Sequence, residues 1–191
     1  MTYNHGMLRK VLGKGLVLWL VLAIAYGCGS SVAVWTDGEV PFVRSTPEVI
    51  DRMLELAQVK PGDLVYDIGS GDGAIIIRAA KKYGAKGVGI EIDAALVDQA
   101  RNYAYREKVE GLVEFRVQDA FTVDVSPATV VTLYMLPDFN AKLRPILDRQ
   151  LKPGSRVVSH DYEIPGWIPD RVEIVKGDLL HDHRVLLYEI R

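Results

Sequence analysis

Cysteine is nearly missing from this sequence: Cys28 stands alone. No intrachain disulfide and no multi-cysteine metal site can form, so the fold must rest on its apolar core, and a reducing compartment suits it. Clustered Lys and Arg are missing as well. Arg9, Lys10 and Lys14 stand unopposed near the start, but everything beyond Thr36 is mildly acidic, which excludes the electrostatic footprint of a nucleic-acid binder. Low complexity is absent too. With 49% apolar and 25% charged residues in 191, the composition is that of a folded chain. With residues 1–35 set aside as a leader, residues 36–191 match one domain of about 100–200 residues.

The last absence is local, since no charged residue occurs from Leu16 to Trp35 and Leu16 to Ala25 is densely apolar behind the basic group. Three readings fit: a hydrophobic anchor helix of about 20 residues, a cleaved signal peptide, or a lipoprotein signal ending at Cys28. The expected organisation is therefore an N-terminal hydrophobic segment over 1–35 and one domain over 36–191.

What is present beyond the leader is alternation. Thr46-Pro47-Glu48 has the chemistry of a helix start, with a hydroxyl cap, a proline where no N–H is needed and a carboxylate near the positive helix end. Val49, Ile50, Met53, Leu54 and Ala57 then trace one apolar face. Lys60-Pro61-Gly62-Asp63 breaks the chain, and Leu64-Val65-Tyr66 enters a buried strand that stops at a glycine cluster. A helix over about 72–82, a strand over 87–91, a helix over 94–106 and strands over 113–117 and 129–133 follow. A helix over 138–150 and a strand over 156–159 complete the run. Strand and helix in turn imply parallel crossovers, hence an α/β fold. The end differs: the runs 171–175 and 184–190 have no helix between them and read as a closing antiparallel hairpin.

Asp67-Ile68-Gly69-Ser70-Gly71-Asp72-Gly73 lies where the first strand hands over to a helix, and its glycines let the backbone approach a ligand. It is not the dinucleotide fingerprint, whose third glycine would stand where Ala74 is. Asp67 and Asp72 would also repel a pyrophosphate seeking bare N–H groups, whereas a cationic ligand would be attracted. Glu91 ends the second strand, about 20 residues on, where an acid accepts hydrogen bonds from ribose hydroxyls. Asp119 follows the third strand, where a carboxylate can accept from an adenine amino group while Ala120 or Phe121 lines the ring; by itself, such an aspartate is commonly a turn residue. In a parallel sheet these three strand ends converge at one edge.

With these residues the chain resembles the class I methyltransferases, whose D-x-G-x-G-x-G loop, ribose acid and adenine acid are matched by Asp67 to Gly73, Glu91 and Asp119. More narrowly, Pro41-Phe42-Val43, Thr46-Pro47, Thr129 to Tyr134 and Leu143-Arg144-Pro145 are similar to a lysine methyltransferase family. Its members include the mitochondrial enzymes that modify the c-ring protein of ATP synthase and the adenine nucleotide translocator. The resemblance implies a Rossmann-like, mostly parallel seven-stranded sheet. It implies S-adenosylmethionine (SAM) as cofactor, held by Thr46, Asp67, Gly69, Ser70, Gly71, Asp72, Gly73, Glu91, Asp119 and Ala120. It also implies a protein lysine as acceptor and a substrate-positioning role for Tyr134, just past the fourth strand; the residue reading alone leaves Tyr134 equally open to a core role. The family usually has arginine where Ala74 stands here. Two alternatives remain: a methyltransferase acting on a quinone or lipid, and a non-catalytic exported lipoprotein with a nucleotide-binding fold. The leader predicts membrane association, with the domain expected on the cytoplasmic side where SAM is made. The unopposed basic residues before the apolar run argue for the opposite side.

No metal site is expected. His181 and His183 alternate suitably for ligation, but two ligands without a third read as a solvated loop pair. His160 and Asp161 are adjacent, and neighbours on a strand point to opposite faces, so they are not expected to share a proton. Ser70 lacks the spacing of a nucleophile elbow.

Overall fold

A computed structural model describes residues 42–177 and 181–191. The expected hydrophobic segment over 1–35 and Cys28 lie outside the described residues. Among those described, no helix is long and apolar enough to cross a membrane.

Helix α1 (Pro47–Leu56) starts as its sequence requires: the Thr46 hydroxyl accepts from Val49 N and Pro47 occupies the first turn. Strands β1 (Leu64–Ile68), β2 (Lys86–Glu91), β3 (Val113–Val117), β4 (Val130–Leu133) and β5 (Arg156–His160) alternate with α2 (Ala74–Tyr83), α3 (Ala94–Glu107) and, after β4, α4 (Pro137–Gln150). Strands β6 (Arg171–Val175) and β7 (His183–Glu189) end the chain. The seven strands form one sheet in the order β3-β2-β1-β4-β5-β7-β6. The first five run parallel, and β7 inserts antiparallel between β5 and β6. The expected closing hairpin is present.

Period-2 alternation assigns the two faces of the sheet. Val65, Val130, Val158, Val185 and Leu187 meet residues of α1, α2 and α3 on one side. Tyr66, Ile68, Val131, Leu133, Val157, Leu186 and Tyr188 meet Leu143 and Leu147 of α4 on the other. Strands buried on both faces explain the near-continuous apolar runs. Helix α2 begins at Ala74, later than the expected 72, because Gly73 has a φ of +79° and cannot be helical. At the opposite end of the sheet from the glycine loop, Arg156 spans three elements. It donates to the carbonyl of Ala57 (2.6 Å) and pairs with the buried Asp63, whose carboxylate also accepts from Thr129 Oγ1 (2.8 Å).

Candidate active site

The strand order places the carboxyl ends of β3, β2, β1 and β4 side by side. The topological switch lies between β1, whose crossover leads to β2 on one side, and β4 on the other, the crevice where open α/β sheets bind ligands. The glycine loop leaves β1 here, with Gly69, Gly71 and Gly73 all at positive φ.

The loop's N–H groups are turned inward. Gly69 N and Ser70 N both donate to Ile90 O (2.9 and 3.0 Å), Gly73 N donates to Ser70 O (2.9 Å), and Gly71 N donates to Glu91 Oε2 (2.9 Å). A pyrophosphate needs free N–H groups, and these four N–H groups of the loop already have partners. The loop instead presents carboxylates. Glu91 also accepts from Ile92 N (2.8 Å) and Asp93 N (3.1 Å). Three donors on a carboxylate with about four acceptor positions leave room for a ribose hydroxyl.

Asp67 is paired in register with Thr132 of β4 and accepts from its hydroxyl at 2.6 Å. Burial pushes its carboxyl up to about 7, with the Thr132 bond opposing and the charge of Glu91 adding to the rise. A cation arriving beside it would favour the ionised form. Asp72 differs from expectation. It forms an ion pair with Arg44, from a segment that crosses the loop with the Phe42 ring against Gly71, so its charge is not free to attract a cationic ligand. Ser70 Oγ is buried against Gly89 of β2 and finds no partner among the described residues.

Asp119 joins the turn reading and the binding reading. Its Oδ1 caps the short 3-10 turn Ala120–Thr122 by accepting from Phe121 N (2.9 Å), while its side chain is exposed beside the half-buried Ala120. Thr46 is committed to capping α1. Tyr134 follows β4 at the same edge, half-buried, its ring stacked on His160 with centroids 3.8 Å apart. Burial, then the nearby Asp161, raises its phenol above the usual range, so it stays protonated at neutral pH.

The structure supplies contacts that local sequence reasoning missed. Asn140 is fully buried in α4 and donates to Met135 O (3.0 Å) and Glu163 O (3.2 Å), holding the loop after β4 to the loop after β5. His160 and Asp161 do come together, contrary to the opposite-face expectation. Asp161 lies past the strand end with a φ of +61°, which turns its carboxylate back to 3.3 Å from His160 Nε2.

A glycine loop and a buried aspartate at β1, a strand-end glutamate at β2, Asp119 after β3 and a half-buried tyrosine after β4, on four adjacent strand ends, define a class I SAM-dependent methyltransferase. Residues 67–171 match the family described as the ANTKMT methyltransferase domain, and the chain belongs to that family. A protein-lysine N-methyltransferase of Saccharolobus islandicus is 44% identical over 153 residues, 79% of this chain and 94% of the relative. A human lysine N-methyltransferase named for the c-ring protein of ATP synthase is 38% identical over 133 residues, 70% of this chain and 56% of the relative. A crystal structure described as an RNA methyltransferase from Salinibacter ruber, in complex with S-adenosyl-L-homocysteine, superposes with a TM-score of 0.72 at 55% identity. It covers 78% of this chain and 94% of that one. The cofactor is SAM.

Proposed function

We propose that this enzyme transfers the methyl group of SAM to the side-chain amine of a protein lysine. The observation that carries this reading is the acidic rim: Glu91, Asp93, Asp119 and Asp138 lie at or soon after the carboxyl ends of β2, β3 and β4, and Arg44 is spent on Asp72. A lysine approaches such an edge as a cation, whereas a phosphate backbone is repelled by it. The lysine-specific names of the two curated relatives support the same acceptor.

Methyl transfer is an in-line displacement at a carbon that the sulfonium of bound SAM already activates, so the protein's work is alignment. The amine must lose a proton before attack, and a partly desolvated channel lowers its affinity for that proton. Tyr134, protonated and half-buried, offers an oxygen to accept from the neutral amine and fix the direction of its lone pair.

The Salinibacter description favours a second reading, an RNA acceptor. The two separate cleanly when the full-length protein is incubated with methyl-labelled SAM and either membrane and soluble protein fractions or total RNA. Methyl-lysine after acid hydrolysis is expected, resistant to ribonuclease. Label lost on ribonuclease treatment would overturn the lysine assignment. We also propose that the domain lies on the side of the membrane where SAM is made, which the uncharged run Leu16 to Trp35 motivates. Phosphatase activity outside from a C-terminal fusion would refute that placement.

A further inference from the structure

We propose that His160, Asp161 and His183 form a three-ligand binding site for a divalent transition-metal ion of the zinc class, with the fourth position open to water on the side of the exposed His181. The antiparallel pairing of β5 with β7 sets the end of one beside the start of the other, which supplies the ligands that the pair His181 and His183 lacks by itself. His160 Nε2 lies 2.9 Å from His183 Nδ1 and 3.3 Å from Asp161 Oδ2. Asp161 Oδ2 lies 3.3 Å from His183 Nδ1 and 3.2 Å from His181 Nε2. Bonds of about 2.0–2.1 Å in a tetrahedron place ligand atoms about 3.3 Å apart. The measured edges fit with shifts of a few tenths of an ångström at most.

The surroundings match what an imidazole ligand requires. The second ring nitrogen of His160, Nδ1, is 2.9 Å from the Ser45 hydroxyl; with Nδ1–H donating there, the Nε2 lone pair is directed at the cluster, the usual outer-sphere arrangement. Asp161 keeps its other oxygen on Arg184 N at 2.8 Å. His160 is fully buried, which keeps its ring fixed between Ser45 and the cluster. On binding, the proton between His160 Nε2 and His183 Nδ1 is given up from Nδ1 and His183 takes one at Nε2, the tautomer that frees Nδ1 for the ion with the ring still neutral. His181, with 53% of its side chain exposed, gives the ion a path in. Two imidazoles and one carboxylate suit zinc, cobalt, nickel or copper and not the hard oxygen-seeking cations. Such an ion would clamp β7 to β5 directly beneath the Tyr134 ring that stacks on His160.

The test uses the full-length protein, stripped with a chelator and dialysed. Calorimetry with zinc chloride should show one equivalent bound below micromolar Kd, and cobalt should give the visible absorption of a tetrahedral ion. His183→Gln should weaken zinc at least about 100-fold while SAM binding persists. Ser45→Ala should weaken it about 10-fold or more, the usual cost of losing an outer-sphere partner. Absence of saturable binding in the wild type would overturn the site, as would unchanged zinc affinity in His183→Gln that still binds SAM. Should that variant not fold, Asp161→Asn decides, since asparagine tolerates the left-handed backbone there; unchanged zinc affinity again overturns the site. None of these outcomes depends on the methyl acceptor being lysine.

Discussion

Asp67 is held in a state that folding alone does not favour. Its carboxyl is raised to about 7 from 3.8, first by burial. The folded apoprotein thus holds that proton more tightly than the unfolded chain between those values. Stability from this group is full below about pH 4 and is lost as pH rises through about 7. Asp67→Asn keeps an acceptor for Thr132 and removes the buried charge. The variant should therefore be more stable than wild type by up to about 4 kcal/mol at about pH 8, the scale of a shift of about three pK units, and no more stable at about pH 4. Denaturant unfolding at both values checks this, and an equal difference at both would mean the carboxyl titrates normally. The same variant should bind SAM less tightly above neutrality, since it has no charge to offer a cation. Glu91 is a separate case, because it accepts from the loop's Gly71 N and is also the residue expected to accept from the cofactor's ribose. Glu91→Ala should weaken SAM by about 1–3 kcal/mol, the cost of lost charge-assisted bonds. It should also lower the melting temperature, because Gly71 N loses its acceptor. Unchanged calorimetric affinity in a folded variant would move the ribose site elsewhere.

At the scale of elements, the hand-over from β1 to α2 is the tightest joint in the molecule. An added Cβ at Gly73 would come within 2.5 Å of the Phe115 ring and 3.0 Å of the Ala100 side chain, at a φ of +79°. Left-handed backbone costs about 1–2 kcal/mol for a residue with a Cβ, and overpacking about 1–3. Gly73→Ala should therefore destabilise by about 2–4 kcal/mol, read as a drop in Tm of roughly 5–15 °C at about 2–4 °C per kcal/mol. A shift under about 2 °C would show that Phe115 gives way freely. Gly84 makes the control: it caps α2 at a φ of +65° with nothing within 4 Å of an added Cβ. Its alanine variant should pay for backbone strain alone.

For the whole molecule, the cofactor edge and the clamp between β5 and β7 sit on one sheet, so ligand binding should be felt globally. At about 100 times its Kd, S-adenosylhomocysteine adds about 2.7 kcal/mol to the folded state, which raises Tm by roughly 5–10 °C for a domain of this size. NAD should produce no shift, because the N–H groups of Gly69, Ser70, Gly71 and Gly73 are already bonded within the protein. A rise with NAD and none with S-adenosylhomocysteine would contradict the assigned cofactor.

Much of this architecture is legible in one dimension because its causes are local. A capped proline start, alternating apolar runs and glycines at a strand's end each act within a few residues, so the sequence alone determined the strand and helix order and the positions of Asp67, Glu91 and Asp119. Boundaries moved by a residue or two where a backbone angle intervened, as at Gly73. Tertiary structure alone decided the rest. The opposite-face rule separates His160 from Asp161 along an ideal strand, and only the left-handed turn at Asp161 reunites them. Ser45 reaches His160 across 115 positions, and His183 reaches it only because β7 inserts antiparallel beside β5. Arg44 neutralises Asp72 by the return of the segment before α1. Such contacts depend on which strands pair and in what register, and no local periodicity encodes that choice.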